Sequence, residues 1–113
     1  MSEIDPTWDQ ILAILNDGRE LARTEAHWAM SQILDGATAN DTIKDFLLAM
    51  KKKGETAEEV SALVEAMYQK ATLINIPDRA VDIVGTGGDG ANTINISTAA
   101  AIVTTAAGAR TIK

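Results

Sequence analysis

Apolar side chains recur at a spacing of three or four residues along the first part of the chain, and this pattern predicts four short amphipathic helices. The first predicted helix begins after Thr7 or Asp5 as its cap and places Trp8, Ile11 and Leu15 on one face. The Asn-Asp-Gly sequence that follows Leu15 is expected to end this helix. This segment is therefore expected to cover one side of a helical core.

The second predicted helix covers about residues 25–34, begins after Thr24 as its cap and ends before Gly36. The third begins at a capping box formed by Thr38 and Asp41. Both helices carry an apolar stripe that should face the core. The stripe residues are Ala26, Met30, Ile33 and Leu34 in the second helix, and Ile43, Phe46, Leu47 and Met50 in the third.

Three lysines, residues 51–53, and Gly54 end the third helix, and we interpret the lysines as a solvated helix end. A capping box of Thr56 with Glu59 then starts a fourth helix that continues to about residue 71. Its predicted apolar stripe consists of Val60, Leu63, Val64, Met67 and Ala71. Four helices with one apolar face each cannot bury themselves singly, so we expect them to pack together.

From Val81 the helical period gives way to a continuous apolar run, which is typical of a buried parallel strand. A glycine-rich segment follows, then a helix of small residues from about residue 98 to 107, and a second short strand after Gly108. The predicted fold class is α/β: an N-terminal all-helical domain, residues 1–76, followed by the first β-α-β unit of a larger parallel-sheet domain, residues 77–113. Since two parallel strands are too few for a stable sheet, we expect the chain to be a fragment.

Composition limits the possible functions. The 113 residues have a net charge of −6, which argues against a nucleic-acid surface. Residues 81–113 hold two acidic and two basic residues, so the excess negative charge lies in the helical part. The chain has no cysteine and a single histidine, His27, so it offers neither a thiolate metal site nor a histidine cluster. No apolar run is long enough to span a membrane, and the N-terminus lacks a secretory signal, so a cytoplasmic protein is expected.

The glycine-rich segment, residues 85–90, has the spacing Gly-x-Gly-x-x-Gly and predicts a loop that binds anionic oxygen through main-chain N–H groups. The dinucleotide fingerprint fits poorly, because six residues separate the last glycine from the helix and no acidic residue follows at the required distance. The Gly-Lys-Ser/Thr sequence of a Walker loop is absent as well. A phosphorylated ligand remains the expectation, with a merely structural glycine turn as the alternative.

The sequences DIVGTGGDG, residues 82–90, and NTINISTA, residues 92–99, resemble the signature of the anthranilate phosphoribosyltransferase family of tryptophan biosynthesis. The helical part is similar to that family at LARTEA, FLLAMK and KGET, which begin at Leu21, Phe46 and Lys53. The resemblance implies transfer of phosphoribose from 5-phosphoribosyl 1-diphosphate to anthranilate, with release of pyrophosphate. It also implies magnesium as cofactor and a homodimer formed through the helical domain.

The resemblance also implies roles for individual residues and assigns no catalytic acid, base or nucleophile. Ser97 would be a magnesium ligand, and Lys113 would begin a Lys-His-Gly-Asn segment of the family. The residues implied in substrate binding are Gly85, Gly88, Asp89, Thr93, Asn95, Ile96, Ser97, Thr98 and Lys113. The carboxylate pair that completes the metal site in the family has no counterpart here, so we expect the 113 residues alone to be inactive.

Two other functions stay open from the sequence. Pyrimidine nucleoside phosphorylases share the architecture and a related glycine loop, although Val84 and Asp89 at the discriminating positions favour the transferase. A non-catalytic module is the other possibility, with the helical domain as a dimerisation unit and the glycine loop vestigial.

Overall fold

The computed structural model of the protein describes residues 5–85 and 95–113. The chain divides into two compact units, Met1–Thr72 and Leu73–Lys113. Within the described residues the first unit is all helical and the second combines one helix with two short parallel strands, which confirms the predicted fold class. The elements are α1 (Trp8–Asn16), α2 (Arg23–Leu34), α3 (Asn40–Lys53), α4 (Ala57–Lys70), β1 (Val81–Asp82), α5 (Ile96–Ala106) and β2 (Thr111–Ile112).

Local chemistry sets the ends of three helices as the sequence predicts. The Thr7 side chain accepts a hydrogen bond from the N–H of Gln10 at the start of α1, and the Gln10 side chain accepts one from the N–H of Thr7. Thr56 and Glu59 form the same reciprocal box at the start of α4. Gly54 ends α3 with φ of 85°, a conformation that disfavours any side chain.

The predicted starts of α2 and α3 are wrong. The N-cap of α2 is Ala22 rather than Thr24, because the carboxylate of Glu25 accepts a 2.7 Å hydrogen bond from the N–H of Ala22 and stabilises an earlier start. The N-cap of α3 is Ala39, and the hydroxyl of Thr38 lies buried without a hydrogen-bond partner. Propensity alone misplaces these boundaries by one or two residues.

In the first unit, α2 packs against α4 and α1 packs against α3. The larger buried apolar side chains of this core are Ile11, Leu15, Leu21, Phe46 and Met50. The ring of Trp8 lies 5.5 Å from Trp28 and 5.6 Å from Phe46, measured between centroids, at tilted or edge-on angles that favour aromatic pairs. The core therefore uses the predicted apolar face of α1 and most of that of α3. The prediction is wrong for Leu47, which is 55% exposed.

The contact between α2 and α4 uses small residues, of which the predicted stripes contain only Ala26. The buried apolar positions are Ala26 and Ala29 on α2 and Ala62 and Ala66 on α4. Alanine lets two helix backbones approach closely, so the larger side chains of each helix lie to the sides of the contact. The predicted stripe of α4 is wrong in this respect, because Val60, Val64 and Met67 are 42–46% exposed.

Among the described residues the carboxylate of Glu59 is completely buried, and it connects α4 with the end of α3 and with the segment before α2. Its two oxygens accept 2.8 Å hydrogen bonds from the N–H of Leu21, the N–H of Thr56 and the ammonium of Lys53. The side chain of Lys53 is only 6% exposed, so the expectation of a solvated end is wrong for this lysine. Burial raises the pKa of Glu59, but the hydrogen bonds and the charge of Lys53 outweigh this effect and leave the pKa below its usual value.

The second unit places β1 and β2 in parallel, with Val81 opposite Thr111 and Asp82 opposite Ile112. The N–H of Val81 donates a 2.9 Å hydrogen bond to the carbonyl of Arg110, and α5 connects the two strands. The expected burial of β1 is wrong, and α5 is largely exposed as well, since only Ala101 of the described residues in this unit is buried. A two-stranded sheet with one helix has too few layers to cover these apolar faces.

Candidate functional site

The carboxyl end of β1, the start of α5 and the end of β2 meet at the side chain of Ser97. The ammonium of Lys113 donates to the Ser97 hydroxyl at 3.2 Å and to the main-chain carbonyl of Ile83 at 3.1 Å. Gly85 lies beside the same serine, because a Cβ at this glycine would stand 3.5 Å from Oγ and 3.6 Å from Cβ of Ser97. A glycine, a hydroxyl and an ammonium therefore converge at one edge of the parallel pair.

The N-terminus of α5 forms the second part of this site. Asn95 is the N-cap, and its Oδ1 accepts a 3.3 Å hydrogen bond from the N–H of Thr98 and a 3.4 Å bond from the hydroxyl of Ser97. The first N–H groups of a helix have no intrahelical acceptor, and the helix dipole adds partial positive charge there. The start of α5 and the ammonium of Lys113 therefore both favour an anion.

Thr98 and Lys113 also line a cavity of about 480 Å³ between α5 and β2. Its walls combine apolar side chains with three threonines and Lys113. The lining residues are Thr98, Ala101, Ile102, Thr105, Ala106, Thr111 and Lys113. An open cavity with apolar walls and an ammonium among its lining groups can take a ligand that carries a negative charge.

The structure brings together four of the residues predicted for substrate binding, namely Gly85, Asn95, Ser97 and Lys113. The start of α5 also contains Ile96 and Thr98, and the Ile96 side chain is largely exposed. Three further predicted residues, Gly88, Asp89 and Thr93, lie outside the described residues. The carbonyl of Ile83 is a contact of the site that residue types do not reveal, because it belongs to the main chain.

Chemically, the described part of the site is an anion-binding arrangement without a strong base. The ammonium of Lys113 is the charged group that contacts Ser97, whereas Arg110 is engaged in an ion pair with Asp78. Two hydrogen bonds to neutral oxygens hold Lys113 at an exposed position, so the side chain can turn toward an anion at little cost. The arrangement can neutralise and orient a phosphate group.

The described residues do not form a magnesium site by themselves. No group of three or more His, Cys, Asp or Glu side chains is placed to hold a metal ion in residues 5–85 and 95–113. Magnesium prefers carboxylate, water and phosphate oxygens, whereas Ser97 offers a single hydroxyl that already contacts an ammonium. Any divalent ion at Ser97 therefore depends on oxygens from elsewhere, such as those of a bound diphosphate.

A second cavity, of about 920 Å³, lies on the helical unit and does not share this character. Its cations, Arg19 and Arg23, already have acidic partners: Arg19 contacts Asp17, and Arg23 contacts Glu58 and Glu65. Hydrogen bonds from Arg23 to these two glutamates raise the pKa of the guanidinium. The cavity thus offers no surplus positive charge for an anionic ligand.

Throughout the part of the chain that the structure describes, no helix is long and apolar enough to cross a membrane.

Two family models match this chain, one within each of its two units. Residues 9–71 match the model of the helical bundle domain of a glycosyl transferase family. Residues 77–113 match the model of the a/b domain of a glycosyl transferase family.

Several curated relatives are also similar to this chain over most of its length. An anthranilate phosphoribosyltransferase of Nocardioides sp. is 49% identical over 107 residues, which cover 95% of this chain and 31% of the relative. That of Streptomyces avermitilis is 50% identical over 97 residues, covering 86% of this chain and 27% of the relative. That of Salinispora arenicola is 48% identical over 111 residues, covering 95% and 31%. The chain thus spans roughly a third of the length of the curated relatives it matches.

Proposed function

The chain belongs to the glycosyl transferase family with a helical bundle domain and an a/b domain, and we propose that the whole protein is an anthranilate phosphoribosyltransferase. It would transfer phosphoribose from 5-phosphoribosyl 1-diphosphate to the amino group of anthranilate and release pyrophosphate, a step of tryptophan biosynthesis. The observation that carries this proposal is the convergence of Gly85, the start of α5 and the ammonium of Lys113 on Ser97. The names of the relatives supply the chemical identity of the anion and its acceptor.

In this proposal the site binds the diphosphate end of the donor. The free N–H groups at the start of α5 and the hydroxyls of Ser97 and Thr98 would contact phosphate oxygens. The Lys113 ammonium would leave the carbonyl of Ile83 and pair with the same phosphates. Gly85 would allow the ligand to approach the main chain, because a side chain there would stand against Ser97. Gly88, Asp89, Thr93, Asn95 and Ile96 complete the proposed set.

The reaction requires little from protein acids or bases. Loss of pyrophosphate breaks the C–O bond and leaves a ribosyl carbon with oxocarbenium character. The amine of anthranilate attacks that carbon and gives up one proton, which the departing pyrophosphate or water can accept. The catalytic demand is therefore neutralisation of the departing pyrophosphate and placement of the amine. Lys113 and the dipole of α5 meet the first demand in this proposal. This agrees with the described residues of the site, which offer a cation and hydrogen-bond donors.

We further propose that magnesium accompanies the diphosphate. A bound magnesium ion would stabilise the charge of the departing pyrophosphate. Ser97 would contribute one hydroxyl ligand to a coordination shell that is otherwise made of phosphate oxygens, water and groups outside the described residues. The proposal also includes a homodimer formed through the helical domain, residues 1–76, a substrate domain that begins at residue 77, and a cytoplasmic location.

The test is turnover by the whole protein with phosphoribosyl diphosphate and anthranilate. We expect loss of anthranilate fluorescence together with an equimolar release of pyrophosphate. Cleavage of a pyrimidine nucleoside by phosphate would favour the phosphorylase instead, and binding of neither substrate pair would favour a non-catalytic helical module. The same assay on the 113 residues alone tests the prediction that they are inactive by themselves.

The proposed metal contact has its own test. Replacing Ser97 with alanine should raise the magnesium concentration needed for half-maximal turnover while it leaves the KM for anthranilate close to that of the wild type. The matched control is Thr104→Ala, because Thr104 lies on the same helix, about two turns after Ser97, and does not line the cavity beside Lys113. An unchanged magnesium requirement in Ser97→Ala would contradict the assigned role of the serine.

A further inference from the structure

A chain of hydrogen bonds runs from Lys113 through Ser97 to Asn95. The ammonium of Lys113 donates to Oγ of Ser97 at 3.2 Å, and the Ser97 hydroxyl donates to Oδ1 of Asn95 at 3.4 Å. The same Oδ1 accepts a 3.3 Å hydrogen bond from the N–H of Thr98. Asn95 is therefore linked to the cation of the site through one intervening hydroxyl.

The groups at the two ends of this chain fix the direction of its hydrogen bonds. An ammonium can only donate, so Oγ of Ser97 must accept from Lys113. A main-chain N–H can only donate as well, so the Asn95 atom that faces Thr98 is the amide oxygen rather than the amide nitrogen. The proton of Ser97 then points to that oxygen, and a lone pair of the serine faces the ammonium.

The position of the ammonium depends on this orientation of the serine. Lys113 is exposed and has a flexible four-carbon stem, so fixing its side chain costs conformational entropy. Two acceptors oppose that cost, namely the Ser97 hydroxyl and the main-chain carbonyl of Ile83 at 3.1 Å. The carbonyl is held by the main chain, whereas the hydroxyl would be free to turn its proton towards the ammonium if Asn95 did not accept that proton.

We infer that Asn95 positions the ammonium of Lys113 through the hydroxyl of Ser97. Asn95 is thus a positioning residue that keeps Lys113 close to the start of α5, where the anion is expected. A cation that is already in place binds its ligand more tightly, because less freedom is lost on binding. The inference deepens the proposed function, which supplies the anion, whereas the hydrogen bonds themselves do not depend on it.

The first experiment measures the order of Lys113 in the whole protein without substrate, by nuclear magnetic resonance relaxation of the lysine Cε groups. Asn95→Ala removes the acceptor, and Asn95→Asp keeps an oxygen acceptor on a side chain of the same size. The matched control is Asn75→Ala, because it makes the same substitution at an exposed position of the segment before β1.

We expect the order parameter of Lys113 in the wild type to exceed that of Lys52, which is exposed on α3. Asn95→Ala should remove most of this difference, and so should Ser97→Ala. Asn95→Asp and the Asn75 control should keep it. An order parameter of Lys113 that is unchanged in Asn95→Ala would overturn the inference.

The second experiment measures binding of inorganic pyrophosphate by calorimetry, at a fixed concentration of Mg²⁺. Loss of one such hydrogen bond changes an equilibrium constant about fivefold, so Asn95→Ala should weaken binding by about that factor. The effect should fall to less than about twofold when Lys113→Met or Ser97→Ala is already present, because Asn95 acts through these two side chains. An equal effect of Asn95→Ala with and without Lys113→Met would mean that the asparagine binds the anion directly or only caps α5, and it would overturn the inference.

The inference and the proposed function fail in different measurements. A wild-type protein that binds neither pyrophosphate nor phosphoribosyl diphosphate would refute the proposed function. The relaxation measurement contains no ligand, so it decides the link between Asn95 and Lys113 in either case.

Discussion

Lys53 provides the sharpest test of how the helical unit is held together. Replacing it with methionine removes the ammonium that faces the fully buried carboxylate of Glu59 but keeps the apolar stem of the side chain. Removing one partner of a buried ion pair costs about 3–5 kcal/mol, because the remaining charge loses its compensation. The N–H groups of Leu21 and Thr56 still bind the carboxylate, so we expect a loss near the lower limit, about 3 kcal/mol.

The assay is thermal unfolding followed by tryptophan fluorescence. Both tryptophans of the chain, Trp8 and Trp28, lie in the helical unit, so the signal reports this unit separately from the second one. In a unit of this size each kcal/mol lowers Tm by about 4–8 °C, and we therefore expect Tm of Lys53→Met to fall by at least about 12 °C.

The control is Lys52→Met, which makes the same substitution and the same change of charge one residue earlier, at an exposed position. Its free energy of unfolding should change by no more than about 0.5 kcal/mol. A loss in Lys53→Met that is no larger than the loss in Lys52→Met would refute the reasoning. Adding Glu59→Gln to Lys53→Met should cost less than the sum of the two single changes, because the two side chains interact directly.

Three further predictions follow from the same contacts. The pKa of Glu59 in the folded protein lies below its ordinary value near 4.5, so the contribution of this carboxylate to stability is complete above pH 4.5 and is lost as the pH falls through the folded-state pKa. The difference in Tm between the wild type and Glu59→Gln should therefore narrow on acidification below about pH 4.5. A difference that widens would contradict this prediction. Thr56→Ala should lower the stability of the helical unit by about 1 kcal/mol in urea unfolding, because the hydroxyl caps α4, and an unchanged midpoint would count against the cap. Gly85→Ala should change the free energy of unfolding by no more than about 0.5 kcal/mol, since the new Cβ would make ordinary contacts with Ser97. The same substitution should weaken binding of phosphoribosyl diphosphate about tenfold in calorimetry. Equal affinity in the variant and the wild type would exclude a close approach of the ligand to Gly85.

The parts of the fold that depend on neighbours in sequence could be predicted from the sequence. The Thr7 cap of α1, the capping box of α4 and the end of α3 at Gly54 require only residues within one turn, and the structure contains them as predicted. The change from a helical period to an apolar run at Val81 likewise indicated the parallel pair of strands. These features follow from spacing, which the sequence displays directly.

The buried face of α4 could not be predicted in the same way. Periodicity favours the largest apolar residues, such as Val64 and Met67, whereas the structure buries Ala62 and Ala66. The small side chains let α2 come close, and this advantage depends on a partner helix that lies far away in sequence. Burial of Glu59 escaped prediction for a related reason, since one of its partners is the N–H of Leu21, 38 residues earlier.

The candidate site could likewise be predicted only in part. Residue types and the family resemblance indicated Ser97 and Lys113, but their contact joins two positions 16 residues apart and depends on how β2 lies beside β1. The role of the Ile83 carbonyl depends on that arrangement too, because every residue has such a group and only the fold selects one.

The most direct test of the central claim is a calorimetric titration of the whole protein with phosphoribosyl diphosphate in the presence of Mg²⁺. We predict saturable binding at one site per chain, weakened at least about tenfold when Ser97 and Lys113 are both replaced by alanine. Absence of binding, or equal affinity in the wild type and in the double variant, would contradict a diphosphate site at the start of α5.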